Sequence, residues 1–171
     1  MLNPKLFYLP HTEIQKHGVD NLTYGSLTPR GIESVVQALQ QLDLPPIHGF
    51  DLGCGDGELI YHLQQQLEDS SWEGVEISEA RVSMQTRDVT IWEGDMLDEN
   101  LHPYNVLHAD NLCLDRTILE KLEEKIANEF SGIYITYQKI TSYALLKKAA
   151  FLFSIPTDAT WGKHTIYYYK I

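Results

Sequence analysis

Gly53, Gly55 and Gly57 stand at alternate positions between Asp51-Leu52 and Glu58. Glycines so placed let the chain turn sharply and let a ligand lie against backbone where a side chain would intrude. A dinucleotide fingerprint needs its third glycine one position later, where this chain has Glu58. Asp51 ends the preceding strand and Asp56 lies inside the loop, and two carboxylates beside two phosphates would repel them. The pair suits a ligand that has no phosphate and carries positive charge. Further acceptors follow. Glu76, 23 residues after Gly53, is spaced to take both hydroxyls of a ribose. Asp95 suits the amino group of an adenine, and Met96 offers flexible apolar surface to the ring. S-adenosylmethionine, with its sulfonium, ammonium and adenosine, fits this set.

The elements that must position these residues are legible in the pattern. Thr28-Pro29 opens a helix whose buried face is Ile32, Val35, Val36, Leu39 and Leu42. Ile47–Leu52 reads as a strand ending in the glycine loop, and Glu58 opens a helix with Leu59, Ile60, Leu63 and Leu67 inward. Strands are expected at Trp72–Ile77, Val89–Gly94, Asn105–Ala109 and Ile133–Tyr137. Glu79 to about Thr86 reads as a short helix. Asp115 caps a longer one, carrying Ile118, Leu119, Leu122, Ile126 and Phe130. A helix over Tyr143–Ala149 precedes two strands, near Phe151–Ile155 and Thr165–Lys170. The expected fold is α/β, a single Rossmann-like domain. Its mostly parallel twisted sheet has helices on both faces and an antiparallel edge hairpin. Residues 1–171 form that domain, 1–45 as an N-terminal lid and helix and 46–171 as the ligand-binding core. Ligands on such sheets bind beyond the carboxyl ends of the strands, where strand order reverses. Gly53, Glu76, Asp95 and Asp110-Asn111 each follow their own strand.

Phe50-Asp51-Leu52-Gly53-Cys54-Gly55-Asp56-Gly57, Val75-Glu76-Ile77 and Trp92-Glu93-Gly94-Asp95-Met96-Leu97 resemble, in order, the motifs of class I methyltransferases. A narrower resemblance, to the non-SET, Dot-type histone-lysine methyltransferases, covers nearly the whole chain. It is carried by Tyr24-Gly25-Ser26-Leu27-Thr28, by Ala109-Asp110-Asn111-Leu112-Cys113-Leu114 before a helix, and by Trp161 with Tyr167-Tyr168-Tyr169. A family methylating lysine on a mitochondrial ATP-synthase subunit is similar in framework. The resemblance implies that Asp51, Gly53, Glu76, Asp95 and Met96 line an S-adenosylmethionine site, joined by Cys54, Gly55, Glu58, Ile77 and Asp110. Tyr24 and Thr28 would close over the methionine end, Tyr24 within reach of the chemistry, although Thr28 is equally a helix cap. Asn111 would sit beside the methyl group. Trp161 with Tyr167 or Tyr168 would wall the channel admitting a lysine. Cross-strand packing is the alternative for these aromatics, because Tyr168 points opposite to Tyr167 and Tyr169. Ser26 stands where the family has glutamate, Asp110 where it has asparagine, and Leu112 and Leu114 where it has aromatics.

Such a reaction needs little acid–base machinery. An aromatic channel strips water from an ammonium and favours loss of its proton, while positioning does most of the catalysis. The expected activity is methyl transfer to a protein lysine, leaving S-adenosylhomocysteine. The alternatives are a small-molecule or RNA acceptor, or a non-catalytic module that binds a basic partner. Thirteen Lys and Arg against 24 Asp and Glu give a net charge of -11 over 171 residues. That excludes strong non-specific nucleic-acid binding and favours a basic protein partner. No apolar run approaches the ~20 residues of a membrane span, and no basic region followed by a long apolar core marks a secretory signal. Cys54 and Cys113 are expected to be small buried residues in a reducing, intracellular setting. The seven histidines show no metal spacing.

Overall fold

The computed structural model describes residues 3–171. Met1 and Leu2, the first two residues of the expected domain, lie outside the described residues. Seven strands form one sheet: β1 (Ile47–Leu52), β2 (Ser70–Glu76), β3 (Thr90–Glu93), β4 (Val106–Ala109), β5 (Ile133–Thr136), β6 (Ala150–Ala159) and β7 (Gly162–Lys170). Their order is β3-β2-β1-β4-β5-β7-β6, parallel through β5, with β7 antiparallel to β5 and β6 outermost. The order reverses between β1 and β4, as the connectivity predicts.

Register sets the site. Leu52 lies opposite Val75 on one side and Ala109 on the other. The residues that follow these three, Gly53, Glu76 and Asp110, therefore leave the sheet in one rank.

The sheet is covered on both faces, because neighbouring residues of its central strands point opposite ways. Val106, Ile133 and Ile135 pack with Ile32, Val35 and Leu39 of α2 (Pro29–Gln41) and with Ile60 and Leu63 of α3 (Glu58–Gln66). Phe50, Leu52, Leu107 and Tyr134 pack with Leu122 and Ile126 of α5 (Arg116–Glu129). Each such side chain contributes about 1.5–3 kcal/mol by leaving water. The caps read from sequence form: Thr28 Oγ1 accepts from Gly31 N–H at 3.2 Å and Asp115 Oδ1 from Ile118 N–H at 2.9 Å.

Three stretches differ from the expected pattern. α4 (Glu79–Val82) and α6 (Tyr143–Leu146) are single turns. After α4 the Gln85 carboxamide donates to the carbonyls of Arg87 and Val89, holding the chain in a loop. After α6, pairing of Ala150 with Lys170 draws the backbone into β6. The terminal hairpin is longer than expected, and its turn docks on the N-terminal segment through Thr28 N–H to Asp158 O at 3.1 Å and Thr160 N–H to Ser26 O at 2.8 Å. Before α2 the chain forms a 3-10 turn at Pro4–Phe7, helix α1 (His11–His17) and a 3-10 turn at Asp20–Leu22, none of them anticipated. Among the described residues no helix is long and apolar enough to cross a membrane.

Candidate active site

Beyond the carboxyl ends of β1, β2 and β4 lies a cavity of about 360 Å³, roofed by residues 20–25 and the hairpin turn. That size is within the range of small-molecule sites. Of the residues singled out from sequence, Tyr24, Gly53, Glu76, Ile77, Met96, Asp110 and Trp161 line it. The floor is backbone. Gly53 has φ +88, and no atom lies within 4 Å of where its Cβ would stand, so open space reaches the main chain. Gly55 is covered instead: a Cβ there would meet Tyr24 Cε2 at 2.6 Å. Trp161 closes the far side with its ring flat against Gly25, where an added Cβ would come 2.2 Å from Cζ3. It remains 45% exposed, at the mouth.

The charged lining is mostly acidic. Glu76 is 3% exposed. Its Oε2 accepts from Gly55 N–H at 2.9 Å, and its Oε1 from Ser78 N–H at 3.1 Å and Arg81 Nη1 at 3.5 Å. A carboxylate has about four acceptor sites, so Glu76 keeps capacity for a ligand hydroxyl. Burial pushes its carboxyl upward, opposed by Arg81 and the two backbone N–H groups. Burial pushes Asp110 up to about 6, opposed by His108, the Leu112 N–H and His164, and assisted by Asp51. Burial beside Asp56, Asp51 and Glu76 also pushes the Tyr24 phenol upward, so it stays a neutral donor. The cavity thus carries Asp20, Glu76 and Asp110 against Arg81 alone, which is paired with Glu76. It suits a cation and disfavours a phosphate.

Nine expected site residues fall elsewhere. Asn111 is turned into the protein, where Nδ2 donates to Thr136 Oγ1 at 2.8 Å and Tyr134 Oη at 3.3 Å, and Oδ1 accepts from Tyr137 N–H at 3.2 Å. It does not line the cavity, where Asp110 takes the position instead. Thr28 serves as the α2 cap and donates to Asp158 O at 3.2 Å, in a separate depression shared with Glu58. Glu58 pairs with Arg87 at 2.9 Å. Tyr168 is core, stacked on Phe153 at 4.8 Å, and Tyr167 packs on the opposite face, so neither walls the cavity. Cys54 is buried beneath the loop against Gly74. Gly55 is screened by Tyr24, and Asp95 Oδ1 folds back to Leu97 N–H at 2.9 Å. Asp51 is held beneath the floor. His108 Nδ1 lies 2.7 Å from its Oδ1, and Tyr137 Oη lies 2.9 Å from Nε2 of the same imidazole. A carboxylate only accepts, so Nδ1 carries the hydrogen of that contact. Cys113, expected to be buried, is exposed at the cavity rim.

Sequence reasoning missed Arg81, Asn21 and the Asp51–His108–Tyr137 chain. The chain had a signal, since His108 in β4 is directly opposite Asp51 in β1 once the strand order is known. Arg81 had none, because its two backbone acceptors, Leu22 and Leu6, lie 59 and 75 residues away.

The sequence pattern of the family described as methionine biosynthesis protein MetW matches residues 36–144, more than half the chain. None of the curated proteins compared with the chain matches it. Among solved structures, the magnesium protoporphyrin IX methyltransferase from Synechocystis PCC 6803, with S-adenosylmethionine bound, superposes with a TM-score of 0.62 at 16% identity, over 81% of this chain and 77% of that one. An S-adenosylmethionine-dependent methyltransferase from Clostridium acetobutylicum ATCC 824 gives 0.61 at 12%, over 83% and 91%. A TehB-like S-adenosylmethionine-dependent methyltransferase from Corynebacterium glutamicum ATCC 13032 gives 0.60 at 10%, over 84% and 88%. At such identities these likenesses show the fold, that of class I methyltransferases.

Proposed function

The chain belongs to the MetW family, and on that premise we propose that it is an S-adenosylmethionine-dependent methyltransferase whose acceptor is an amine. The observation that carries this reading is the single rank of Gly53, Glu76 and Asp110 around one cavity. Gly53 leaves backbone open to the ligand, Glu76 retains acceptor capacity for a ribose hydroxyl, and Met96 and Ile77 offer apolar surface to a base. S-adenosylmethionine bound there would supply an electrophilic methyl group for an acceptor nitrogen to attack in line, the N–C bond forming as the S–C bond breaks and S-adenosylhomocysteine leaves. Asp110 holds the incoming ammonium, orients its nitrogen and receives the proton it sheds. Trp161 at the mouth attracts the cation on approach and excludes water afterwards. Tyr24, over Gly55, fixes the methionine end. Positioning supplies most of the rate.

A lysine of a basic protein is the amine that a chain of net charge -11 attracts best over distance. A second reading, a small-molecule amine, is favoured by one observation: neither Tyr167 nor Tyr168 lines the cavity, so the lysine channel lacks the tyrosine wall expected beside Trp161. Methyl transfer from labelled S-adenosylmethionine to histones, other basic proteins, RNA and small amines tests both. Label on a lysine supports the first and label confined to a small amine the second. Label only on RNA, or none anywhere, overturns the amine reading.

A further inference from the structure

Arg81 takes no part in the transfer just described, yet among the described residues it is the one cation on the cavity wall and only 3% of it is exposed. Its guanidinium is shared among four groups. Nη1 pairs with Glu76 Oε1 at 3.5 Å, Nε donates to Leu6 O at 3.1 Å, Nη2 donates to Leu22 O, and its carbon lies 4.8 Å from the centroid of the Tyr24 ring. Three of the four belong to residues 3–27, the strap that crosses the cavity before α2. A second tie reaches the strap from the same turn: Ser78 Oγ donates to Glu13 Oε2 at 2.6 Å and Ala80 N–H to Glu13 Oε1 at 3.0 Å. Within the strap the buried apolar side chains are Leu6, Leu22 and Leu27, so polar ties carry much of its attachment. A segment held this way opens at lower cost than the core.

Resting on the reading that Glu76 takes the ribose, we propose that Arg81 is a positioning residue that couples cofactor binding to closure of the N-terminal strap. One fork orients Glu76 and fastens the strap, so each event favours the other. A ligand touching Thr23, Tyr24 and Gly25 gains those contacts only when the strap is closed, and closure in turn supplies the acceptors that Arg81 needs once buried. Such coupling is reciprocal: whatever the ligand adds to closure, closure adds to affinity. Lysine at this position keeps a charge for Glu76 but cannot reach three acceptors from a planar fork.

Hydrogen exchange of the strap amides, read with and without saturating S-adenosylhomocysteine, tests the coupling. In the wild type the ligand should slow exchange over residues 5–26 at least tenfold. Arg81→Lys should raise unliganded strap exchange, increase the ligand off-rate about tenfold, and raise KM for S-adenosylmethionine while kcat at saturation stays near wild type. Glu13→Ala, which leaves Glu76 and Arg81 in place, should speed release severalfold by the second tie alone. Failure of the wild type to bind S-adenosylhomocysteine would overturn the methyltransferase reading. Binding with unchanged strap exchange, or both variants releasing ligand at the wild-type rate, would overturn the coupling alone.

Discussion

Asp110 shows how one residue can serve a site at a cost to stability. Its carboxyl is pushed up to about 6 by burial, so the folded protein binds that proton more tightly than the unfolded chain does. The ionised form therefore opposes folding. The penalty is fully present above pH 6 and fades as pH falls toward the unfolded value near 4. Asp110→Asn should raise stability at pH 7.5 by roughly 1–3 kcal/mol, with the gain vanishing toward pH 4, as urea titrations would read. The same change should lower kcat/KM by about 10²-fold, and wild-type activity should fall as pH drops through 6. A destabilised variant that keeps full activity would remove Asp110 from the site. Its neighbour teaches the complementary lesson. From sequence, Asp110 and Asn111 were both placed at the end of β4, but which of two adjacent side chains faces the cavity depends on partners such as Thr136 and Tyr137, distant in the chain.

Elements were easier to read than orientations. The apolar face of α2, its Thr28 cap and the span of β1 follow from local chemistry, and the helices between parallel strands fix the sheet. An N-terminal lid is expected from sequence but the elements within it are not legible there, because α1 and its flanking 3-10 turns have few buried apolar residues and are held by ties to Arg81, Ser78 and Asp115. The Tyr167–Tyr169 run was placed correctly on the last strand, but its surroundings were set by β5 and β6 on either side. One contact between elements is open to a direct test. Gly25→Ala would drive a methyl into the Trp161 ring, separating strap from hairpin turn. The expected cost is about 1–3 kcal/mol, with Trp161 fluorescence shifted to the red. Unchanged melting and emission would show that the two elements are not packed as described.

At the scale of the molecule, the net charge of -11 is a statement about encounter. It attracts basic partners over roughly the 10 Å Debye length at 0.1 M salt and less at higher salt. For a lysine-rich acceptor peptide, kcat/KM should fall severalfold between 0.05 M and 0.5 M salt (a rough tenfold span chosen to collapse that length) while kcat holds. A rise with salt would argue against an acidic surface that steers a cation. The sheet brings strand ends far apart in sequence to one edge, and a methyltransferase must hold a nucleoside there. Calorimetric titration with S-adenosylmethionine, wild type against Glu76→Ala, asks this most directly. Micromolar binding is expected, weakened by the substitution by roughly 1–3 kcal/mol, the cost of leaving a hydroxyl partner unmatched. No heat with the wild type, or equal affinity in both proteins, would contradict it.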